Sequence, residues 1–191
     1  GGKVVVQARK MNLRFRGGKV EDAARIADLG RQTFAEFFGQ VYKKSDLDQY
    51  LETYFSVDRV GRDLQNPETD YRVAEAPNGL VGYAKIGPTT LLVENGKENS
   101  LQLHRLYVRE TRRGVGVGGI LLSWAIDRAT ERGADELWLG VWANNQHAIG
   151  VYESRGFEAN GLCDISVGET SDRELMMSLA LQAEARSSLT A

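Results

Sequence analysis

The segment Val108–Gly119 (VRETRRGVGVGG) combines four glycines with three arginines in twelve residues. An apolar, strand-like stretch precedes it and a helical pattern follows it, so the glycines lie where a helix begins. Backbone N–H groups in the first turn of a helix lack intrahelical partners, and glycine lets a phosphate approach them closely. The segment therefore predicts a phosphate-binding loop, to which Arg112 and Arg113 could add charge-assisted hydrogen bonds.

Three patterns of phosphate-binding loop fit these glycines to different degrees. The form GxxxxGK[ST] is absent, since no Lys-Ser or Lys-Thr follows a glycine here. The dinucleotide form GxGxxG fits Gly114, Gly116 and Gly119, but the nearest acidic pair precedes the next strand, and too little chain follows for a second nucleotide-binding half. The form [Q/R]xxGxG/A fits Arg113, Gly116 and Gly118. A glycine turn without a ligand is the plain structural alternative.

The third pattern resembles the pyrophosphate loop of the GNAT superfamily of acyl-CoA-dependent N-acetyltransferases. The surrounding stretch Leu103–Ala125 looks like that family's fourth strand, loop and following helix, and Asn144–Phe157 (NNQHAIGVYESRGF) looks like its second cofactor motif. The resemblance runs from about Leu13 to Leu181. It implies an α/β fold with a mixed, mostly antiparallel central sheet that is splayed between strands 4 and 5, and with helices on both faces.

A narrower similarity points to the PaiA-type bacterial acetyltransferases. It rests on Thr33–Gly39 (TFAEFFG), the helix at Asp46–Tyr54, Trp138–Trp142 (WLGVW) and Asp172–Met177 (DRELMM). Members of that group act on polyamines such as spermidine and on related small amines. The similarity therefore implies transfer of an acetyl group from acetyl-CoA to a primary amine of a small molecule. A polyamine is one acceptor that it implies.

The resemblance also implies which residues contact the co-substrate, acetyl-CoA, and implies no metal. The pantetheine arm would pair with the backbone of the fourth strand, and the pyrophosphate would lie on the amides of the loop. The implied binding residues are Leu106, Tyr107, Val108, Arg113, Gly114, Val115, Gly116, Val117, Gly118, Gly119, Asn145 and Tyr152.

Catalysis by direct attack, without an acetyl-enzyme, needs a neutral amine and a proton donor for the departing thiolate. An alkylamine with a pKa near 10.4 is almost wholly charged at pH 7, so a base is useful. The family often has a carboxylate on its fourth strand, where this chain has Gln102 and His104. His104 is the candidate base, with Glu36 or a water chain as alternatives. Tyr152 occupies the position of the family's thiolate-protonating tyrosine.

The acceptor amine is expected on the side of the first two helices. Carboxylates and aromatic rings suit a cation, although acids at a helix start are more often caps. The candidates on that side are Glu36, Tyr42, Asp46, Asp48, Tyr50 and Tyr54. Two functions compete with a small-amine acetyltransferase: a protein lysine or N-terminal acetyltransferase, and a catalytically weak acetyl-CoA-binding regulator.

Alternation and helical periodicity predict the elements that hold these residues, in the order β-α-α-α-β-β-β-α-β-α-β-β. Strands are predicted at Leu13–Phe15, Tyr71–Ala76, Leu80–Ile86, Ser100–Val108 and Glu136–Val141, followed by a last strand region that ends in Leu175–Leu181. Helices are predicted at Val20–Phe38, from Ser45, from Ser56 to Asn66, at Ile120–Arg132 and at Asn145–Ser154. Residues 87–99 are expected to form a loop.

Composition excludes several other classes of protein. The 191 residues carry a net charge of −2 and a pI near 5.8, which argues against a nucleic-acid partner. One cysteine and two histidines leave no zinc-ligand spacing, and the apolar runs are too short for a membrane span. We expect a flexible leader over 1–10, a single domain over 11–185, a cytoplasmic location, and either a monomer or a homodimer.

Overall fold

The computed structural model describes residues 12–91 and 98–181. The first helix, α1 (Ala23–Phe38), is amphipathic and follows a 3-10 turn at Val20–Asp22. The third helix, α3 (Val57–Gln65), is capped by the side-chain oxygen of Ser56, which accepts from the amide of Arg59 at 3.1 Å. The helices are α1 (Ala23–Phe38), α2 (Lys44–Tyr54), α3 (Val57–Gln65), α4 (Val117–Glu131) and α5 (Gln146–Ser154).

Seven strands are hydrogen-bonded in the order β1-β2-β3-β4-β5-β7-β6. The β4–β5 ladder is parallel, whereas the ladders β1–β2, β5–β7 and β6–β7 are antiparallel. The strands are β1 (Arg14–Gly17), β2 (Asp70–Ala76), β3 (Gly79–Pro88), β4 (Ser100–Val108), β5 (Glu136–Trp142), β6 (Glu158–Val167) and β7 (Thr170–Ala180).

The β4–β5 ladder is short compared with its two strands. It pairs Ser100–Gln102 with Glu136–Trp138, whereas the ladder between β5 and β7 continues to the end of β5, at Trp142. Among the described residues, β5 therefore continues for four residues beyond its pairing with β4. The predicted mixed sheet, splayed between strands 4 and 5, is confirmed.

The chain divides into two compact units, each with its own buried core. The first unit comprises the described residues up to Lys85 together with Arg105–Trp124, and its core includes the fully buried Ile26, Leu29 and Tyr83. The second unit comprises the described residues of 86–104 and those from Ala125 onward, with Leu137, Leu139 and Met177 fully or almost fully buried.

The predicted order of elements is confirmed, but several boundaries differ. Helix α4 begins at Val117, three residues before the predicted start, because Gly118 and Gly119 adopt helical geometry. Asn145 caps α5 instead of belonging to it. Residues 1–10 and part of the predicted loop at 87–99 lie outside the described residues, and the single domain over 11–185 stays a prediction.

Candidate active site

The glycine segment forms a tight turn that leads into α4. A 3-10 turn at Glu110–Arg112 follows β4, and Gly114 and Gly116 then adopt φ values of 81° and 93°. Such left-handed backbone is inexpensive for glycine alone. The carbonyl of Gly116 accepts the first helical hydrogen bond, from Ile120 at 3.1 Å. The N–H groups of the three residues between them therefore have no acceptor within α4.

The start of this turn is fixed to β3. The amide of Arg109 donates to the carbonyl of Val81 at 2.8 Å, and its Nε donates to the carbonyl of Leu80 at 2.8 Å. Gly82 on β3 lets β4 and α4 approach that strand closely, because a Cβ at position 82 would lie 3.0 Å from the Tyr107 carbonyl oxygen. The loop is thus held at its first residue and beneath the first turn of α4.

The side chain of Arg113 is turned toward α1. Its Nη2 donates to Glu36 Oε2 at 3.0 Å, its Nε donates to the carbonyl of Val108 at 3.2 Å, and its guanidinium lies 4.8 Å from the ring centre of Phe37. In this geometry the charge of Arg113 is already paired, and its backbone amide donates to the carbonyl of Glu110 at 3.2 Å. Glu36, the alternative base, is the partner in that pair, so its carboxylate is engaged.

The loop has the space that an anion needs. A Cβ on Gly114 or on Gly119 would meet no atom within 4 Å, so the backbone at these two positions is approachable from outside. Backbone donors, open space and the positive end of α4 together fit a pyrophosphate. These residues could therefore hold the phosphate part of a nucleotide co-substrate such as acetyl-CoA.

The expected pantetheine-binding strand, Leu106–Val108, is half-buried at the end of β4. The ring of Tyr107 stacks on Phe55 with centroids 6.1 Å apart and meets Tyr83 edge-on at 5.6 Å. These contacts anchor the Tyr107 side chain within the first unit. Main-chain contact to a ligand would use the backbone while this side chain stays packed.

His104 lies in the second unit, at the part of β4 that precedes Leu106. Its Nε2 lies 2.8 Å from the carbonyl oxygen of Pro88. A carbonyl can only accept, so Nε2 carries the hydrogen, and the lone pair of the neutral ring lies on Nδ1. A proton taken up by His104 would therefore go to Nδ1.

Asn145 and Tyr152 lie at the two ends of α5. The side-chain oxygen of Asn145 accepts from the amide of Ala148 at 3.2 Å, which leaves its NH₂ group as the donor that the cap does not use. The Tyr152 ring meets Phe157 edge-on at 5.7 Å. Burial raises the pKa of Tyr152 to about 12, so its phenol keeps its proton at neutral pH and can donate it.

The acceptor candidates on the first two helices are mostly engaged in packing or in ion pairs. Asp48 pairs with Lys44 at 3.5 Å, and both side chains are exposed. Tyr50 stacks on Phe34 with centroids 5.0 Å apart, and its ring lies 4.7 Å from that of Tyr54. Aromatic packing therefore dominates this side of the first unit, and the cation site expected there stays a prediction.

Sequence reasoning missed Glu174, a half-buried carboxylate on β7. Burial raises its pKa, and its carboxylate lies against Gly140 on β5. The only local signal is an acid within the strand pattern of Asp172–Met177. What that acid faces depends on the β5–β7 register, which no local pattern encodes.

Two kinds of feature are absent from residues 12–91 and 98–181. These residues contain no group of three or more His, Cys, Asp or Glu side chains arranged to hold a metal ion. Within the same ranges, no helix has both the length and the apolar character that a membrane crossing requires.

Comparisons with known proteins agree with this geometry. The model of the acetyltransferase (GNAT) family matches residues 31–157. An uncharacterized N-acetyltransferase of Lactobacillus delbrueckii subsp. lactis is 26% identical over 161 residues, which cover 84% of this chain and 93% of that protein. The spermine/spermidine N(1)-acetyltransferase of Bacillus subtilis is 31% identical over 97 residues, which cover 50% of this chain and 64% of that protein.

A solved structure shares the fold. The PaiA N-acetyltransferase of Thermoplasma acidophilum, crystallised in complex with coenzyme A, matches with a TM-score of 0.69 at 19% identity. The match covers 89% of this chain and 99% of that one. At this level of identity, the match shows a common fold and leaves the acceptor undefined.

Proposed function

The chain belongs to the acetyltransferase (GNAT) family, and we propose that it acetylates a primary amine of a small molecule, foremost a polyamine. As a member of that family it is an acyl-CoA-dependent N-acetyltransferase, with acetyl-CoA as its co-substrate. The observation that carries co-substrate binding is the glycine turn at the positive end of α4. The polyamine proposal is supported by the partial match to a spermine/spermidine N(1)-acetyltransferase.

The co-substrate would be held mainly by backbone groups. We assign the pyrophosphate to the amides of Gly114–Gly119, because the amide of Arg113 already donates to the carbonyl of Glu110 at 3.2 Å. The pantetheine arm is assigned to the backbone of Leu106–Val108 and the side chain of Asn145. Acetyl-CoA supplies the thioester whose acetyl group is transferred. Neither assignment requires the side chain of Arg113, which is paired with Glu36.

Two side chains move protons in this proposal. Tyr152 donates its phenolic hydrogen toward the departing sulfur. Its pKa, raised to about 12, keeps that hydrogen in place at neutral pH. His104 takes the proton that the amine loses, through Nδ1 and either directly or through a water molecule. No acetyl-enzyme is needed, because the neutral amine attacks the thioester itself.

The test is release of free thiol from acetyl-CoA in the presence of single amines: spermidine, spermine, an aminoglycoside, amino acids and a histone-tail peptide. We expect thiol release that depends on spermidine or spermine. Release with the peptide alone would favour a protein acetyltransferase. A rise in Tm with acetyl-CoA but no release with any amine would favour a co-substrate-binding regulator.

A further inference from the structure

We propose that Glu174 on β7 binds the ammonium group of the acceptor, a role that rests on the proposed function as an amine acetyltransferase. Glu174 is paired in register with Trp142, the last residue of β5. Its carboxylate lies over the neighbouring Gly140, where an added Cβ would be 2.7 Å from Oε2 and 3.2 Å from Cδ. Glycine at position 140 thus leaves the space that this carboxylate fills.

The carboxylate lies beside the part of β5 that extends past its ladder with β4. That ladder ends at Trp138, and Gly140 and Trp142 follow it. The carbonyl of Trp142 accepts from the amide of Asn145 at 2.9 Å, so Glu174 lies at the end of β5 that leads into the N-terminus of α5. Within the second unit, Glu174 and the proposed co-substrate residue Asn145 are therefore close along the same strand end.

Among the described residues, the charge of Glu174 has no ion-pair partner, in contrast to the buried Asp22 and the half-buried Asp63. Asp22 is paired with Arg16 at 2.7 Å, and Asp63 is paired with Lys85 at 2.8 Å. Within residues 12–91 and 98–181, Glu174 forms no ion pair, and its one hydrogen bond comes from the thiol of Cys163 at 4.0 Å. A carboxylate that is partly removed from water without a cation is unfavourable, and a bound ammonium would offset that cost.

The surroundings of Glu174 also fix the direction of its pH dependence. Strand β5 presents Gly140, which does not titrate, and β6 presents Cys163, whose thiol pKa is raised by burial and by Glu174. Burial raises the pKa of Glu174 as well. An ammonium binds only the ionised carboxylate, so amine binding should weaken as pH falls. Because the pKa of Glu174 is raised, this weakening should begin at a higher pH than it would for an ordinary glutamate.

Calorimetry of spermidine binding to the whole chain of 191 residues, saturated with CoA, tests this assignment. Glu174→Gln keeps the shape and removes the charge. We expect it to weaken spermidine binding at least tenfold, because a charge-assisted hydrogen bond is lost, while CoA binding is unchanged. Gly140→Ala should weaken spermidine binding too, since its methyl group displaces the carboxylate. Asp164→Asn, an exposed carboxylate on β6, is the matched control and should bind like the wild type.

The outcomes separate this inference from the proposed function. The role of Glu174 is supported if the wild type binds spermidine, Glu174→Gln weakens that binding and Asp164→Asn leaves it unchanged. This holds whether or not thiol is released. Equal binding by wild type and Glu174→Gln would overturn it, even if spermidine is acetylated. Failure of the wild type to bind spermidine, spermine or any other amine of the panel would overturn it as well.

Discussion

Gly116 provides a way to separate the binding role of the loop from its structural role. Its φ of 93° lies in the left-handed region, so Gly116→Ala should cost about 1–2 kcal/mol of stability. Gly133, just after α4, has a φ of 79°, and a Cβ there meets nothing within 4 Å. Gly133→Ala is therefore a matched control that carries a similar backbone cost outside the loop.

The two variants should differ in their affinity for CoA. Relaxation of the backbone at Gly116 would turn the loop amides away from the pyrophosphate, and each hydrogen bond to a charged acceptor contributes about 1.5–3 kcal/mol. Loss of one such bond weakens binding by about 10- to 100-fold. Calorimetry with CoA should give that loss for Gly116→Ala and wild-type affinity for Gly133→Ala. Equal affinities for the two variants would refute the assignment of the pyrophosphate to this loop.

Three further perturbations test the proposed roles. Tyr152→Phe should lower kcat about 100-fold in the thiol-release assay with unchanged CoA affinity, and unchanged kcat would exclude Tyr152 as the proton donor. Gly82→Val should place a side chain 3.0 Å from the Tyr107 carbonyl, lowering stability to urea by about 1–3 kcal/mol and weakening CoA binding by calorimetry. The hydrogen bond from Arg16 lowers the pKa of Asp22 from 3.8 to about 2, so this carboxylate contributes about 2 kcal/mol above pH 4 that is lost as pH falls toward 2. Asp22→Asn should remove that contribution at pH 7 and flatten the acid limb of urea stability, and an unchanged acid limb would contradict it.

The loop and the order of elements are predictable because their signals are local. Glycines after a strand and before a helix indicate an anion site whatever the rest of the chain does. Ser56 before a helix is a cap by its chemistry, and the structure confirms it at 3.1 Å. The beginning of α4 at Val117 was not predictable from propensity, because glycines are poor helix formers.

Contacts that depend on register or on distant residues were not predictable. Arg113 pairs with Glu36, 77 positions away along the chain, and no pattern in either segment specifies that partner. The position of Glu174 over Gly140 follows from the antiparallel register of β5 and β7, and a shift by one residue would turn the carboxylate to the other face of the sheet. The sequence indicates which reactive side chains are present, whereas the strand register decides which of them lie next to one another.

The roles of His104 and Tyr152, the cytoplasmic location and the choice between a monomer and a homodimer stay predictions. Among them, the role of His104 is the most specific, because the contact of Nε2 with the Pro88 carbonyl assigns proton uptake to Nδ1.

The most direct measurement of the central claim is mass spectrometry of spermidine after incubation with acetyl-CoA and the protein, with free thiol quantified in the same sample. The account predicts spermidine that carries one acetyl group, in an amount equal to the thiol released. Unmodified spermidine and spermine, with no thiol released, would contradict a polyamine acetyltransferase.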